Sequence, residues 1–113
     1  MYTKYVDYEL IKLFESEPIL ISEKEAGMFI YSKEDSLGMK LILSFSIYEK
    51  KSKISLGLGD SEALEISFKD VKELRVQNDS LIICQNQSEK DCVIHFRPNF
   101  FINFEYGNSL SIR

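Results

Sequence analysis

The chain has 113 residues, of which 44% are hydrophobic, and a formal charge of -4, which suits one core and leaves too little length for two comfortable domains. No run of about 18 apolar residues occurs, and the first residues lack the apolar stretch of a secretion signal, so a helical membrane span is excluded and a cytoplasmic location is expected. The charge is uneven: residues 1–35 carry eight acids (Asp7, Glu9, Glu15, Glu17, Glu23, Glu25, Glu34, Asp35) against four lysines, whereas residues 36–113 carry ten of each sign.

In chain order, residues 2–16 read as the one good helix. Val6, Leu10, Leu13 and Phe14 recur at helical spacing, and Pro18 ends the pattern near Glu17. Tyr2, Tyr5 and Tyr8 would form a stripe on it, either docking the helix on a sheet or serving as interface anchors. A short apolar piece at 19–22 precedes a strand at 27–33, and Ser36, Leu37 and Gly38 supply a turn. Next comes the strongest signal: Met39, Leu41, Leu43, Phe45 and Ile47 are apolar, while Lys40, Ser44 and Ser46 between them are polar. Period two marks a half-buried antiparallel strand.

The spacing returns at Ile54, Leu56, Leu58, at Leu64, Ile66, Phe68, and at Phe100, Ile102, Phe104, Tyr106. With residues 49–53 as a hairpin tip, Ile47 pairs with Ile54, Phe45 with Leu56 and Leu43 with Leu58, apolar against apolar. Residues 69–72 are out of phase and read as a bulge, a bend or one helical turn. Asn78 and Asp79 tolerate positive φ, so they predict a tight turn pairing Val76 with Leu81 and Leu74 with Ile83. Pro98 and Asn99 set Phe96 against Phe100 and Ile94 against Ile102. A three-residue loop, Gly107, Asn108 and Ser109, pairs Tyr106 with Leu110 and Phe104 with Ile112. The whole is an α+β, β-rich single domain spanning residues 1–113: an antiparallel meander of about eight strands with one N-terminal helix, as a curled sheet, a half-barrel or two layers.

Chemistry-bearing residues are few. Cys84 and Cys92 are read as buried thiols; pairing 80–84 with 92–96 would set them opposite each other, where a disulfide is possible but demanding. His95, the single histidine, falls out of phase with both cysteines, so no four-ligand metal site forms and no cofactor is expected. Ser80, Ser109 or a carboxylate near His95 would be needed for hydrolysis, and the spacing does not demand it. Residues 57–60 (Gly-Leu-Gly-Asp) lack the third glycine and the lysine of phosphate loops and read as a strand end. The pairs Glu23 with Glu25 and Glu34 with Asp35 lie in polar surroundings and read as solvated.

Two stretches, Leu64-Glu-Ile-Ser-Phe-Lys-Asp-Val-Lys-Glu-Leu-Arg-Val76 and Ile102-Asn-Phe-Glu-Tyr-Gly-Asn-Ser-Leu-Ser-Ile112, together less than a quarter of the chain, carry a hydrophobic spacing that resembles small β-rich immunity proteins of bacterial polymorphic and contact-dependent toxin systems. The resemblance implies a cytoplasmic, non-enzymatic protein that binds one toxin and blocks its active site or essential contacts. The acidic first third suits a basic toxin domain and disfavours nucleic acid or membrane; the plainer reading of these acids is solubility. Glu15, Glu17, Glu23, Glu25, Glu34 and Asp35 are the candidate partner-binding residues. The alternatives are an assembly module working through a sheet edge or face, with homo-oligomers possible, and a small enzyme using His95. Phe100 and Phe101 motivate the former, since neighbours in one strand cannot both face the same core.

Overall fold

In the computed structural model, which describes residues 2–106, nine strands form two antiparallel sheets. The first runs in the order β1 (Ile19–Leu20), β2 (Met28–Glu34), β3 (Met39–Ser46), β4 (Lys51–Leu58) and β5 (Ser61–Phe68). The second runs β6 (Val71–Gln77), β7 (Ser80–Gln85), β8 (Lys90–His95) and β9 (Phe101–Tyr106). Each strand bonds to its neighbour in sequence, so both sheets are meanders, as the short turns require. The strand count exceeds expectation because the apolar piece after Pro18 also pairs, Ile19 with Ile30 and Leu20 with Phe29. The expected hairpin at 107–109 lies outside the described residues.

The period-two residues Leu41, Leu43 and Phe45 of β3 are buried and meet Leu81, Ile83 and Ile94 of the second sheet in one cluster. The α-helix α1 (Asp7–Phe14) closes this core with Leu10, Leu13 and Phe14. Burying each of these side chains contributes about 2 kcal/mol, and a helix this short is marginal without such packing. Phe14 is the meeting point of the layers: its ring contacts Phe96 edge-on at 5.1 Å and Tyr31 at 5.4 Å.

The helix is shorter than the expected 2–16 at both ends. Thr3 donates its backbone N–H to the Ile47 carbonyl at 2.9 Å and its buried hydroxyl to the Val71 carbonyl at 2.7 Å. Lys4 forms a parallel bridge with β6, donating to Lys72 O and accepting from Leu74 N, both at 2.9 Å. These bonds hold the first residues extended and tie one sheet to the other, so the helix starts only after Val6. The tyrosine stripe is broken accordingly. Tyr5 packs on Phe29 and Phe45, Tyr2 reaches Tyr48, and Tyr8 stays on the helix surface. At the other end Glu15 turns left-handed, with φ 58°, before Glu17 is reached.

The turn at Asn78 and Asp79 forms as expected, with φ of 51° and 61°, and sets Val76 against Leu81 and Leu74 against Ile83. The β3–β4 register differs. Phe45 faces Ser52 rather than Leu56, and Leu43 faces Ile54 rather than Leu58. Both registers keep the apolar residues on one face, so phase alone could not choose. The shorter turn at 47–50, with Lys50 at φ 57°, prevails because its ends are anchored: Ile47 N donates to Gly27 O and Lys50 O accepts from Val71 N. Of residues 69–72, the first two form a sharp bend with Asp70 at φ 55°, and the last two open β6, whose register against β7 slips between Val71 and Glu73 as a bulge would. Residues 57–60 form a hairpin bend, where a Cβ on Gly57 would collide with the Ser61 carbonyl.

That register leaves Ser52 buried between Phe45 and Phe68 with no partner for its hydroxyl among the described residues. Thr3, equally buried, has one. Opposite outcomes are expected in chemical denaturation: Ser52→Ala should gain about 1 kcal/mol by removing an unsatisfied hydroxyl, and Thr3→Val should lose about 1–2 kcal/mol by orphaning the Val71 carbonyl. Equal effects of the two substitutions would contradict this arrangement.

Candidate functional site

A groove of about 660 Å3 opens where α1 crosses the tips of three hairpins. Tyr8, Lys12 and Glu15 line it from the helix side, Lys33, Glu34 and Asp35 from the end of β2, Asn78 and Asp79 from the β6–β7 turn, and Arg97 and Pro98 from the β8–β9 turn. Phe96, Val76 and Leu13 lie deeper, all of them part of or against the core. The groove exists because the helix stops at Glu15 and the chain turns away, leaving the hairpin tips uncovered.

Its charges are arranged around Glu15. Lys33 Nζ lies 2.6 Å from Glu15 Oε1, and Arg97 bridges Glu15 and Asp79 at 3.8 and 3.5 Å. The hydrogen bond from Lys33, with its charge, holds the Glu15 carboxyl below the ordinary range. Lys33 and Arg97 are thus engaged, whereas Glu9 and Glu34, also on the wall, make no ion pair among the described residues. The rim presents negative charge beside an exposed tyrosine, Tyr8.

Asp35 has a different task. Its Oδ1 accepts from the N–H groups of Leu37 and Met39, both at 2.9 Å, and its Oδ2 accepts from Phe100 N at 3.4 Å. The carboxylate closes the β2–β3 turn and latches that turn to the β8–β9 loop of the other sheet, where Asn99 also donates to Ser36 Oγ. Burial pushes this carboxyl upward, but the N–H groups of Met39, Phe100 and Leu37 outweigh it and hold it below the usual range.

The six candidate acids do not form one patch. Glu15, Glu34 and Asp35 meet at the groove. Glu23 and Glu25 stand exposed before the start of β2, about 20 Å away along the strand. Glu17 is exposed on the segment leading into β1. In sequence Tyr8 reads as part of a helix stripe and Asp79 as a turn residue, and Arg97 is not singled out; the helix and two separate turns bring the three together, and no local spacing records that.

A second constellation lies on the outer face of the second sheet. Ser80 pairs with His95 across β7 and β8, and Ser80 Oγ sits 3.0 Å from His95 Nδ1. His95 Nε2 lies 3.7 Å from Glu105 Oε2, and its ring stacks on Phe101 at 5.7 Å. Serine, histidine and carboxylate therefore stand in line, a juxtaposition the spacing did not reveal. A nucleophile must be reachable by the atom it attacks, yet Ser80 is only 7% exposed and none of the three lines the groove. Phe100 turns inward against Phe96, and Phe101 turns out onto His95, 59% exposed.

The cysteines are one residue out of the expected register. Ile83, not Cys84, faces Cys92, and a one-residue slip moves a side chain to the opposite face. Cys92 joins the core while Cys84 lies on the outer face, which it shares with His95, so the two thiols are not placed for a disulfide. Burial pushes Cys84 up to about 11 and Cys92 up to about 12, and both remain protonated and unreactive at neutral pH.

No family model and no curated protein matches the chain. Among solved structures, the fold matches a chain of the contact-dependent growth inhibition toxin–immunity protein complex from Klebsiella pneumoniae 342 with a TM-score of 0.79 and 25% identity, over 93% of this chain and 98% of that one. The likeness to contact-dependent toxin–immunity systems, first visible in two stretches of hydrophobic spacing, thus extends along nearly the whole fold.

The Asp35 latch makes a pH prediction. A carboxyl held below its unfolded value stabilises the fold above the ordinary carboxylate range and loses that contribution as pH falls through its folded value. Asp35→Ala should therefore be less stable than the parent at neutral pH, and the difference should shrink toward acid in denaturation series. A difference that does not change with pH would show that the charge of Asp35 plays no part.

Proposed function

We propose that the chain is an immunity protein: a non-enzymatic bacterial protein of the cytoplasm that binds one cognate toxin domain and occludes its active site or essential contacts. The observation that carries this reading is the fold match, which spans almost all of both chains. Charge supports the mode of binding. The acids of the first third are displayed at the groove rim and beside β1, where a basic toxin surface would be attracted to them, and long-range attraction of this kind accelerates encounter more than it strengthens the bound state. Solid hairpin tips around a shallow groove also suit the burial of a protein surface, with Tyr8 as an exposed aromatic at its edge.

Co-expression tests the reading: cells producing the cognate toxin domain should grow when the chain is present and stop growing without it. Binding kinetics test the electrostatic part. Reversing Glu17, Glu23, Glu25 and Glu34 together to lysine should slow association at low salt by about tenfold or more and flatten its salt dependence, with thermal stability little changed because these side chains are exposed. Association that keeps its rate and salt slope would remove the electrostatic part, and a parent chain that neither binds nor protects would remove the reading itself.

A further inference from the structure

The first sheet ends on a short, exposed strand. Among the described residues β1 pairs with β2, and alternation from the Ile21 N–H, which bonds inward, points the Leu20 N–H and carbonyl away from the sheet. Ile19, Leu20 and the adjoining Ile21 are 65%, 45% and 50% exposed. Edge strands are blunted by shortness, lysine, proline or a bulge; β1 is short and follows Pro18, yet three consecutive apolar residues stand exposed along it. Ile19 stands beside Ile30, and Ile21 N bonds to Met28 O at 3.2 Å, so an apolar strip continues inward from the edge on the outer face. Leu20 lies beside buried Phe29 on the other face. A strand added here would find apolar neighbours on both faces.

Charge decides which strand. In antiparallel self-pairing centred on Leu20, Ile19 would face Ile21 of a second copy, and Glu17 would approach Glu23 twice. Like charges opposed across strands are destabilising. Glu17, Glu23 and Glu25 instead complement a strand of opposite sign. We infer that the β1 edge accepts an extended segment of the toxin as a sixth strand, one that is apolar at its centre and carries lysine or arginine at its ends. The inference rests on the immunity reading and deepens it: the groove and its rim attract the toxin, and the edge holds it.

The test uses the full chain and its cognate toxin domain. Ile19→Asn combined with Ile21→Asn, which leaves the charge of the edge untouched, should speed dissociation by about tenfold or more and leave association and thermal stability nearly unchanged. Independently of any variant, the Leu20 amide of the parent chain, which alternates with the inward-bonded Ile21 N–H and faces away from β2, should gain hydrogen-exchange protection in the complex. Unchanged dissociation, or no added protection at this amide, overturns the edge proposal while leaving the immunity reading intact. A parent chain that dimerises through this edge, with a concentration-dependent mass that the double substitution abolishes, also overturns it. Failure of the parent to bind the toxin at all removes both.

Discussion

Two meanders share one core in this protein, and what makes them one body is the strap formed by Thr3 and Lys4. Thr3 bonds to the end of β3 through its N–H and to the start of β6 through its hydroxyl, and Lys4 lies along β6. The strap fixes where the chain enters α1, which sets Leu10, Leu13 and Phe14 against both sheets. At the opposite end Asp35 makes the second link, from the β2–β3 turn to Phe100. Between these two ties the helix and the hairpin tips are held around the groove, with Glu15 as the hub of its ion pairs.

Local patterning carried a good deal of this architecture. Wherever alternation was long and a turn had its own chemistry, as at Asn78 and Asp79, element, face and pairing were all legible, because the backbone conformation of the turn sets the register. The β3–β4 hairpin shows the limit. Its turn residues have no special chemistry, and pairing apolar with apolar missed that Ser52 faces Phe45, a choice made by distant bonds from Gly27 and Val71. The helix was overextended for a similar reason, since nothing in residues 2–6 announces that Thr3 will find Ile47 and Val71. Cys84 and Cys92 were placed one residue out of register because the polar loop between them gives no count of its own length. The candidate acids were legible as charge but not as geography: chain reversals send Glu15, Glu34 and Asp35 to one end of β2 and Glu23 and Glu25 to the other.

The polar side chains divide by role. Asp35 and Thr3 spend their hydrogen bonds on the fold, and the line of Ser80, His95 and Glu105 encloses its serine rather than offering it. What faces outward is of another kind: acids around a tyrosine-rimmed groove, and an apolar edge flanked by acids. Features of this kind suit the proposed contact with another macromolecule, and the fold's likeness to a chain of a toxin–immunity complex agrees with that proposal. A protein working in this way acts by occupancy, so its effect is limited by its amount. The most direct measurement is therefore a titration of the toxin's activity by this chain at concentrations well above the dissociation constant. A linear loss that ends at equimolar chain and toxin is expected, with activity returning when the complex is dissociated. Loss of activity at far less than equimolar chain, with the toxin left covalently altered, would contradict it.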